Sequence, residues 1–241
     1  LVAFRCPFIL DPNRVRRTYR GGLLLEKFRR YENPEDSWFP EDWVGSVSLS
    51  RLAEATNEGC SSVDYGGKKV LVKDLISQYP EAMLGAEHVA RWGQDPSLLV
   101  KLLDSSTRLR IQVHPTRDQA KLLLDSCYGK TESWIVLKTR QIDGNDPYLL
   151  LGFKEGVTRS KFEQAVMNQN TPELVDMLHK IRVQPGDVFF VESGVPHAIG
   201  PGVFMIELQE PSDHTIYVEA SQGDVFAESS TNTLGLGWEK A

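Results

Sequence analysis

Apolar and polar positions alternate along much of the chain, and this pattern predicts a mainly β fold. Short runs with period-two alternation, or with continuous apolar character, are typical of strands. They lie at residues 2–9, 23–28, 43–49, 98–103, 130–138, 149–153, 188–191, 203–208 and 215–220. Apolar residues at helical spacing occur instead near 70–92, 116–127 and 158–179. The chain is therefore expected to be a β protein with helical insertions.

A capping signal marks the start of the helix near 116–127. Thr116 and Gln119 form a capping box, and the apolar residues that follow at helical spacing end at Cys127. Because it closes an amphipathic pattern, Cys127 is expected to lie in the core rather than to act as a nucleophile.

Two further capping signals lie within 158–179. Ser160 with Glu163 predicts the start of one helix, and Thr171 as N-cap with Pro172 at the first helical position predicts another. The second helix is expected to end near His179. Its ring would then interact with the helix dipole rather than with a metal.

Two predicted strands carry polar residues where a soluble core usually has apolar ones. Alternate side chains of a strand share a face, so Gln112 and His114 point to one side. Lys130 and Glu132 repeat this arrangement at the start of the strand at 130–138. Burying such groups without partners is costly. A His near a carboxylate is typical of a divalent metal site, so these pairs predict one.

A glycine-containing segment at 184–201 supplies a further His. Gly186 opens a turn before the strand at 188–191, and Gly194 permits a second sharp turn before His197. This spacing resembles the second half of the cupin motif, except that Glu192 stands where a proline is usual. The resemblance implies that His197 points into a β-barrel.

Four stretches carry a more specific resemblance. They are Ile-Gln-Val-His-Pro at 111–115, Tyr-Gly-Lys-Thr-Glu-Ser-Trp at 128–134, Gly-Val-Pro-His-Ala-Ile-Gly at 194–200 and Glu-Leu-Gln at 207–209. In this order they resemble class I (zinc-dependent) mannose-6-phosphate isomerases. The resemblance implies a cupin (jelly-roll) β-barrel with helical insertions, forming one domain over 1–241. It also implies one zinc ion per chain, bound by Gln112, His114, Glu132 and His197.

The activity that this resemblance implies is interconversion of mannose 6-phosphate and fructose 6-phosphate through an enediol. A cation near O1 and O2 of the sugar would stabilise the developing negative charge. Lys130 and Glu132 are then candidate catalytic residues, with Lys130 as general base. Binding of the phosphate, or pairing with an acid, is the alternative role for Lys130.

The sequence departs from the family at Tyr217. Members carry an Arg at this position, after an Asn-Ser-Asp turn, whereas residues 211–219 here read Pro-Ser-Asp-His-Thr-Ile-Tyr-Val-Glu. Tyr217 is therefore a candidate catalytic residue by its position, although a phenol cannot replace a guanidinium at an anionic group. Either Arg182, Arg110 or Lys101 substitutes for the family's arginine, or the activity is altered.

The residues alone leave other functions open. Mixed nitrogen and oxygen ligands also suit Mn²⁺ or Fe²⁺. A cupin that binds a sugar or sugar phosphate without converting it would keep the same ligands. An Fe²⁺ oxygenase is less favoured, because such a site more often has a His-x-His pair than Gln112-x-His114.

Composition narrows the classes of partner. The 241 residues carry a formal net charge of −6, which argues against a broad nucleic-acid surface. No apolar run approaches the roughly 18 residues of a membrane span, and no secretory leader is evident.

The scattered cysteines, Cys6, Cys60 and Cys127, predict reduced thiols and a cytoplasmic location. The final run at 233–241 stops where the family continues, so the chain is expected to extend beyond 241.

Overall fold

The computed structural model of the chain describes residues 7–51, 57–222, 225–226 and 232–241. The strands are β1 (Arg14–Val15), β2 (Glu41–Val44), β3 (Ser62–Tyr65), β4 (Lys68–Leu71), β5 (Leu99–Asp104), β6 (Gln112–Val113), β7 (Glu132–Thr139), β8 (Tyr148–Phe153), β9 (Leu178–Arg182), β10 (Val188–Val191), β11 (His197–Ile199), β12 (Val203–Gln209), β13 (Ile216–Tyr217), β14 (Ser221–Gln222) and β15 (Val225–Phe226). The helices are α1 (Leu23–Phe28), α2 (Val72–Gln78), α3 (Pro80–Leu84), α4 (Ala86–Trp92), α5 (Arg117–Leu124), α6 (Arg159–Met167) and α7 (Thr171–Asp176). The prediction of a mainly β fold with helical insertions is confirmed.

Two antiparallel sheets contain most of the strands. The larger sheet has the order β1-β2-β5-β12-β7-β10, and the second has the order β13-β6-β11-β8-β9. The pairs β3-β4 and β14-β15 each form a sheet of two strands. Neighbours in each sheet are far apart in sequence, as in the double-sheet arrangement of a jelly roll.

An apolar core lies between the two larger sheets. It combines Leu103, Trp134 and Met205 of the six-stranded sheet with Leu149 and Ile199 of the five-stranded sheet. Because side chains alternate along a strand, the intervening residues of the second sheet face the other way. The inner faces of both sheets therefore enclose a common interior, as in a β-sandwich.

Helices α6 and α7 cover the outer face of the five-stranded sheet. Ala165 and Leu174 on these helices pack in one buried cluster with Leu150 on β8 and Ala198 on β11. Leu150 and Ala198 alternate with residues of the inner core. The helical insertion therefore buries the second face of this sheet.

The capping box of α5 is present as predicted, but the position of Cys127 is not. The Thr116 side chain accepts a hydrogen bond from the Gln119 N–H, and the Gln119 side chain accepts from the Thr116 N–H. Helix α5 ends at Leu124, and its C-cap, Asp125, is in the left-handed conformation with φ of 51°. Cys127 consequently lies beyond the helix and is exposed, so the prediction that it is a core residue is wrong.

Helix boundaries in the second half of the chain also differ from the prediction. Thr158, rather than Ser160, caps α6 through its side chain, and Asn170, rather than Thr171, caps α7. The next segment, Leu178–Arg182, pairs with β8 as a strand. The placement of His179 at a helix C-terminus is therefore wrong, and this residue is exposed on β9.

Residues 23–28 form helix α1 instead of the predicted strand. Asp104, at the end of β5, accepts hydrogen bonds at Oδ2 from the N–H groups of Gly22, Leu24 and Leu25 at 3.1, 2.6 and 3.2 Å. A carboxylate that satisfies several free N–H groups stabilises a helix N-terminus. The partner is remote in sequence, so the local pattern did not reveal the helix.

Three other predicted strands are shorter than expected. The strand at 43–49 is observed as Glu41–Val44 and stops at Gly45, where φ is 64°. The strand at 215–220 is reduced to Ile216–Tyr217. Residues 7–9 of the strand at 2–9 form no strand, and residues 2–6, with Cys6, lie outside the described residues. None of the helices in the described part of the chain has the length and hydropathy of a membrane span.

Candidate metal centre

Three strands bring the predicted ligand residues together between the sheets. Gln112 and His197 are direct partners across β6 and β11, and Glu132 is the first residue of β7 in the opposite sheet. Ile111 and Val113 pack with the outer cluster, which leaves Gln112 on the inner face. The predicted ligands are all buried: Gln112, His114, Glu132 and His197.

The distances within this group are short. His114 Nε2 lies 3.2 Å from Glu132 Oε1, and His197 Nε2 lies 3.7 Å from Glu132 Oε2. One ligand atom from each of these three residues falls within 4.8 Å of the others. The side-chain nitrogen of Gln112 lies 3.1 Å from His197 Nε2. Since an amide presents its oxygen or its nitrogen after a simple rotation, Gln112 can also direct an oxygen to this space.

Backbone carbonyls fix the orientation of both imidazoles. His114 Nδ1 lies 2.9 Å from the carbonyl oxygen of His214, and His197 Nδ1 lies 2.9 Å from that of Val195. A carbonyl accepts only, so each Nδ1 carries the proton and donates it. Each neutral ring then presents an Nε2 lone pair to Glu132, which is the usual arrangement of a metal-bound histidine.

The electrostatics of the group suit the binding of a cation. Burial, followed by the nearby Lys130 ammonium, lowers the pKa of His114 to about 3, so its ring is neutral. Burial is the largest single influence on Glu132 and would raise its pKa, but Lys130 together with His114 and His197 keeps the pKa well below its usual range. Both carboxylate oxygens of Glu132 are buried without a hydrogen bond of good geometry. Two lone pairs and a carboxylate that converge in this way fit a divalent cation.

Lys130 lies beside the same group, as the sequence predicted. Its Nζ is 2.9 Å from Glu132 Oε1 and 3.2 Å from His114 Nε2, and the residue is buried. No backbone movement is needed for this amine to reach a ligand bound next to Glu132. Its predicted role in proton transfer stays a prediction.

A small cavity of about 20 Å³ adjoins the group. That is space for about one water molecule. Its polar lining includes Arg17, Glu41, Lys101, Arg110, Gln112, Lys130, Glu207 and Tyr217. Of the three residues expected to compensate for Tyr217, Lys101 and Arg110 line the cavity. Arg182 does not, because it is exposed on β9 and pairs with Asp146 at 3.2 Å.

A buried ion-pair network around this cavity was not predicted. Arg17 pairs with Glu41 at 3.2 Å and with Asp213 at 3.1 Å, while Lys101 pairs with Glu207 at 3.1 Å. Burial, followed by the charge of Glu132, raises the pKa of Glu207 to about 7 although Lys101 opposes this. Three strands, β2, β5 and β12, and two loops supply these paired charges, so the interior next to the predicted ligand residues is polar.

One signal in the sequence could have revealed part of this network. On β12, Glu207 and Gln209 are buried, whereas Leu208 between them is 46% exposed. This is the same inverted alternation that identified Gln112 and His114. Applied to 203–208, it predicts an inward-facing Glu207.

The family match and one curated relative agree with these observations. Residues 24–130 match the family described as "Phosphomannose isomerase type I, catalytic domain". A Bacillus subtilis (strain 168) protein, described as "Probable mannose-6-phosphate isomerase GmuF", is 38% identical over 212 residues. The match covers 88% of this chain and 60% of that protein. The chain thus spans less than two thirds of the length of this relative.

Solved structures share the fold. The mannose 6-phosphate isomerase from Bacillus subtilis has a TM-score of 0.72 at 23% identity, with 98% of this chain and 68% of that chain covered. A mannose 6-phosphate isomerase described as holo and zinc-bound has a TM-score of 0.69 at 16% identity, with 93% and 73% covered. The mainly β fold of these isomerases and the resemblance to class I isomerases are confirmed.

Proposed function

We propose that this relative of the type I phosphomannose isomerases is a zinc-dependent isomerase that interconverts mannose 6-phosphate and fructose 6-phosphate. The observation that carries the proposal is the convergence of the His114 and His197 Nε2 atoms on Glu132, with the Lys130 amine beside them. A metal group next to a buried amine combines charge stabilisation with proton transfer. Aldose–ketose isomerisation requires both.

Gln112, His114, Glu132 and His197 would hold one zinc ion. When bound, zinc supplies a positive charge that polarises the carbonyl group of the sugar. Three strong ligands and a neutral amide suit a catalytic site better than a closed structural one. The carbonyl partners of the two Nδ1 atoms hold both rings in the binding orientation.

Lys130 is the residue that we assign to proton transfer. In its neutral form, this amine takes the proton from C2 of the open-chain sugar in the forward direction and later returns it to C1. The surrounding cavity admits little water, which limits loss of that proton to solvent. A hexose phosphate is much larger than the cavity, so substrate binding requires the lining side chains to move apart.

A coupled assay of fructose 6-phosphate formation from mannose 6-phosphate tests the function. We expect turnover by the zinc-loaded protein, loss of turnover after dialysis against a chelator, and recovery when Zn²⁺ is restored. Binding of mannose 6-phosphate by metal-loaded protein without any turnover would contradict the proposal. It would favour a metal-dependent sugar-phosphate-binding cupin.

A further inference from the structure

Arg110 is a buried cation that pairs with no carboxylate in the part of the chain that the structure describes. The residue is 2% exposed. Its Nη1 donates to the side-chain oxygen of Asn232 at 2.8 Å and to the backbone carbonyl of Glu219 at 3.4 Å. Its Nε has no hydrogen-bond partner. Both observed acceptors are neutral, so the guanidinium charge is not balanced by a direct contact.

The side-chain carboxylate of Glu219, whose backbone carbonyl Arg110 contacts, is paired with another arginine. Glu219 accepts a bidentate pair of hydrogen bonds from Arg108 at 2.7 and 2.8 Å, and a third from the Ile111 N–H. Arg17, on the same cavity, has both Glu41 and Asp213 as partners. Arg110 therefore differs from Arg108 and Arg17, which both have carboxylate partners. Burial of an unpaired cation is costly, and this cost lowers the pKa of Arg110.

The Tyr217 ring holds the Arg110 guanidinium beside the predicted ligand residues. Its central carbon lies 3.6 Å from the centre of the Tyr217 ring, so the planar guanidinium stacks on the phenol. Arg110 precedes Gln112 by two residues and His114 by four, which is the spacing of positions that share one face of an extended chain. It lines the same small cavity as Gln112 and Lys130. A guanidinium thus lies next to Tyr217, where the family resemblance implied an arginine side chain. It comes from the segment that precedes β6, whereas Tyr217 is on β13.

We propose that Arg110 is a catalytic residue that pairs with the negatively charged oxygen formed on the sugar during proton transfer, and that Tyr217 positions it. This inference rests on the proposed isomerase function. Arg110 lines this cavity together with the predicted ligand Gln112 and with Lys130, so its guanidinium lies on the side of the substrate where the charge develops during proton transfer. A fixed guanidinium at that point stabilises charge without reorganisation.

The reaction balances with the groups already named. The C2–H bond breaks and its proton passes to the Lys130 amine. The electron pair forms the C1–C2 double bond, and the carbonyl pair becomes the charge on O1 that Arg110 contacts. Return of the proton from Lys130 to C1 and passage of the O2 proton to O1 give the ketose, so no other reactant is needed.

Arg110→Met tests the inference, with Arg182→Met as the matched control because Arg182 is exposed and distant from the cavity. Affinities are measured by calorimetry on zinc-loaded protein for two probes. The hydroxamate of arabinonic acid 5-phosphate carries an ionisable planar group that mimics the enediolate. Mannitol 6-phosphate has a phosphate but only neutral hydroxyls at the reacting end. Zinc content and melting temperature report whether each variant folds.

If Arg110 contacts the oxyanion, Arg110→Met should lower kcat and the hydroxamate affinity by about 10²-fold, with mannitol 6-phosphate affinity unchanged. Equal losses for both probes would mean that Arg110 binds the phosphate, and the inference would be wrong. Unchanged kinetics would also overturn it. If Arg110→Met does not fold, Arg110→Lys takes its place, since it keeps the charge but loses the planar fork. The inference again requires a loss confined to the hydroxamate and kcat.

The wild-type protein separates this inference from the proposed function. Absence of mannose 6-phosphate turnover in zinc-loaded wild type would contradict the isomerase itself. Turnover in wild type that is retained in Arg110→Met would leave the isomerase intact and remove Arg110 alone.

Discussion

The imidazole rings of His114 and His197 lie 4.8 Å apart, centre to centre, and each directs its Nε2 atom towards Glu132. Between these two residues the chain passes through α5, β7, β8, α6, α7, β9 and β10. Each ring is oriented by a backbone carbonyl rather than by a side chain. The backbone therefore fixes the direction of both lone pairs before any ion binds.

The first prediction concerns metal content. Elemental analysis of protein purified without chelator should find close to one divalent ion per chain, mostly zinc. His114→Ala and His197→Ala should each lose it, because each removes one nitrogen ligand from a group of four. His179→Ala, at an exposed histidine on β9, is the control and should keep the ion. Full metal content in both site variants would exclude this ligand set.

The second prediction is that zinc stabilises the folded chain. An ion that binds only the folded state adds about 4 kcal/mol to the free energy of unfolding at a thousandfold excess over its Kd. Scanning calorimetry should therefore show a lower melting temperature after chelation and its recovery when Zn²⁺ is restored. Glu132→Gln should melt at the same temperature with and without Zn²⁺, since a neutral amide replaces the carboxylate. An equal response of this variant and the wild type would count against Glu132 as a ligand.

The third prediction separates the roles of Lys130. If its amine transfers the proton, Lys130→Met should lower kcat by about 10²- to 10⁴-fold while KM and zinc content change little. Lys121→Met, at an exposed position on α5, is the matched control. A rise in KM with kcat unchanged would instead indicate that Lys130 binds the phosphate. A change of only a few-fold in both constants would remove it from the catalytic group.

The clustering of Gln112, His114, Glu132 and His197 could be predicted from the sequence because its signals are local. Gln112 with His114, and Lys130 with Glu132, are pairs two residues apart in strands, and the turn at Gly194 precedes His197. Each signal is contained in a few consecutive residues. The structure brings all of them to one interior.

Features that depend on distant partners could not be predicted in this way. Arg17 and Asp213 are 196 residues apart, and their pairing follows only from the packing of the whole chain. Helix α1 depends on Asp104, which lies in a different element. His179 was assigned to a helix because its local pattern does not show that Leu178–Arg182 pairs with β8. Long-range pairing overrides local preference at such positions.

The last prediction concerns the pH dependence of stability at Asp104. Burial raises the pKa of Asp104 from 3.8 to about 6 in the folded protein, and Oδ1 has no hydrogen-bond partner. A raised pKa means that the folded state binds the proton more tightly than the unfolded state. The stability contributed by the protonated form is therefore present below pH 3.8 and is lost as the pH rises through about 6.

Asp104→Asn removes this titration and keeps an oxygen that can accept from Gly22, Leu24 and Leu25. As the pH rises from about 4.5 to about 7.5, the free energy of unfolding of the wild type should fall by about 2 kcal/mol relative to that of Asp104→Asn. Urea unfolding of both proteins across this range measures the difference, and other titrating groups cancel in the comparison. Asp118→Asn, at an exposed position on α5, is the control and should follow the wild type. Parallel curves for wild type and Asp104→Asn would show that Asp104 is ionised throughout, with its charge stabilised by the N-terminus of α1.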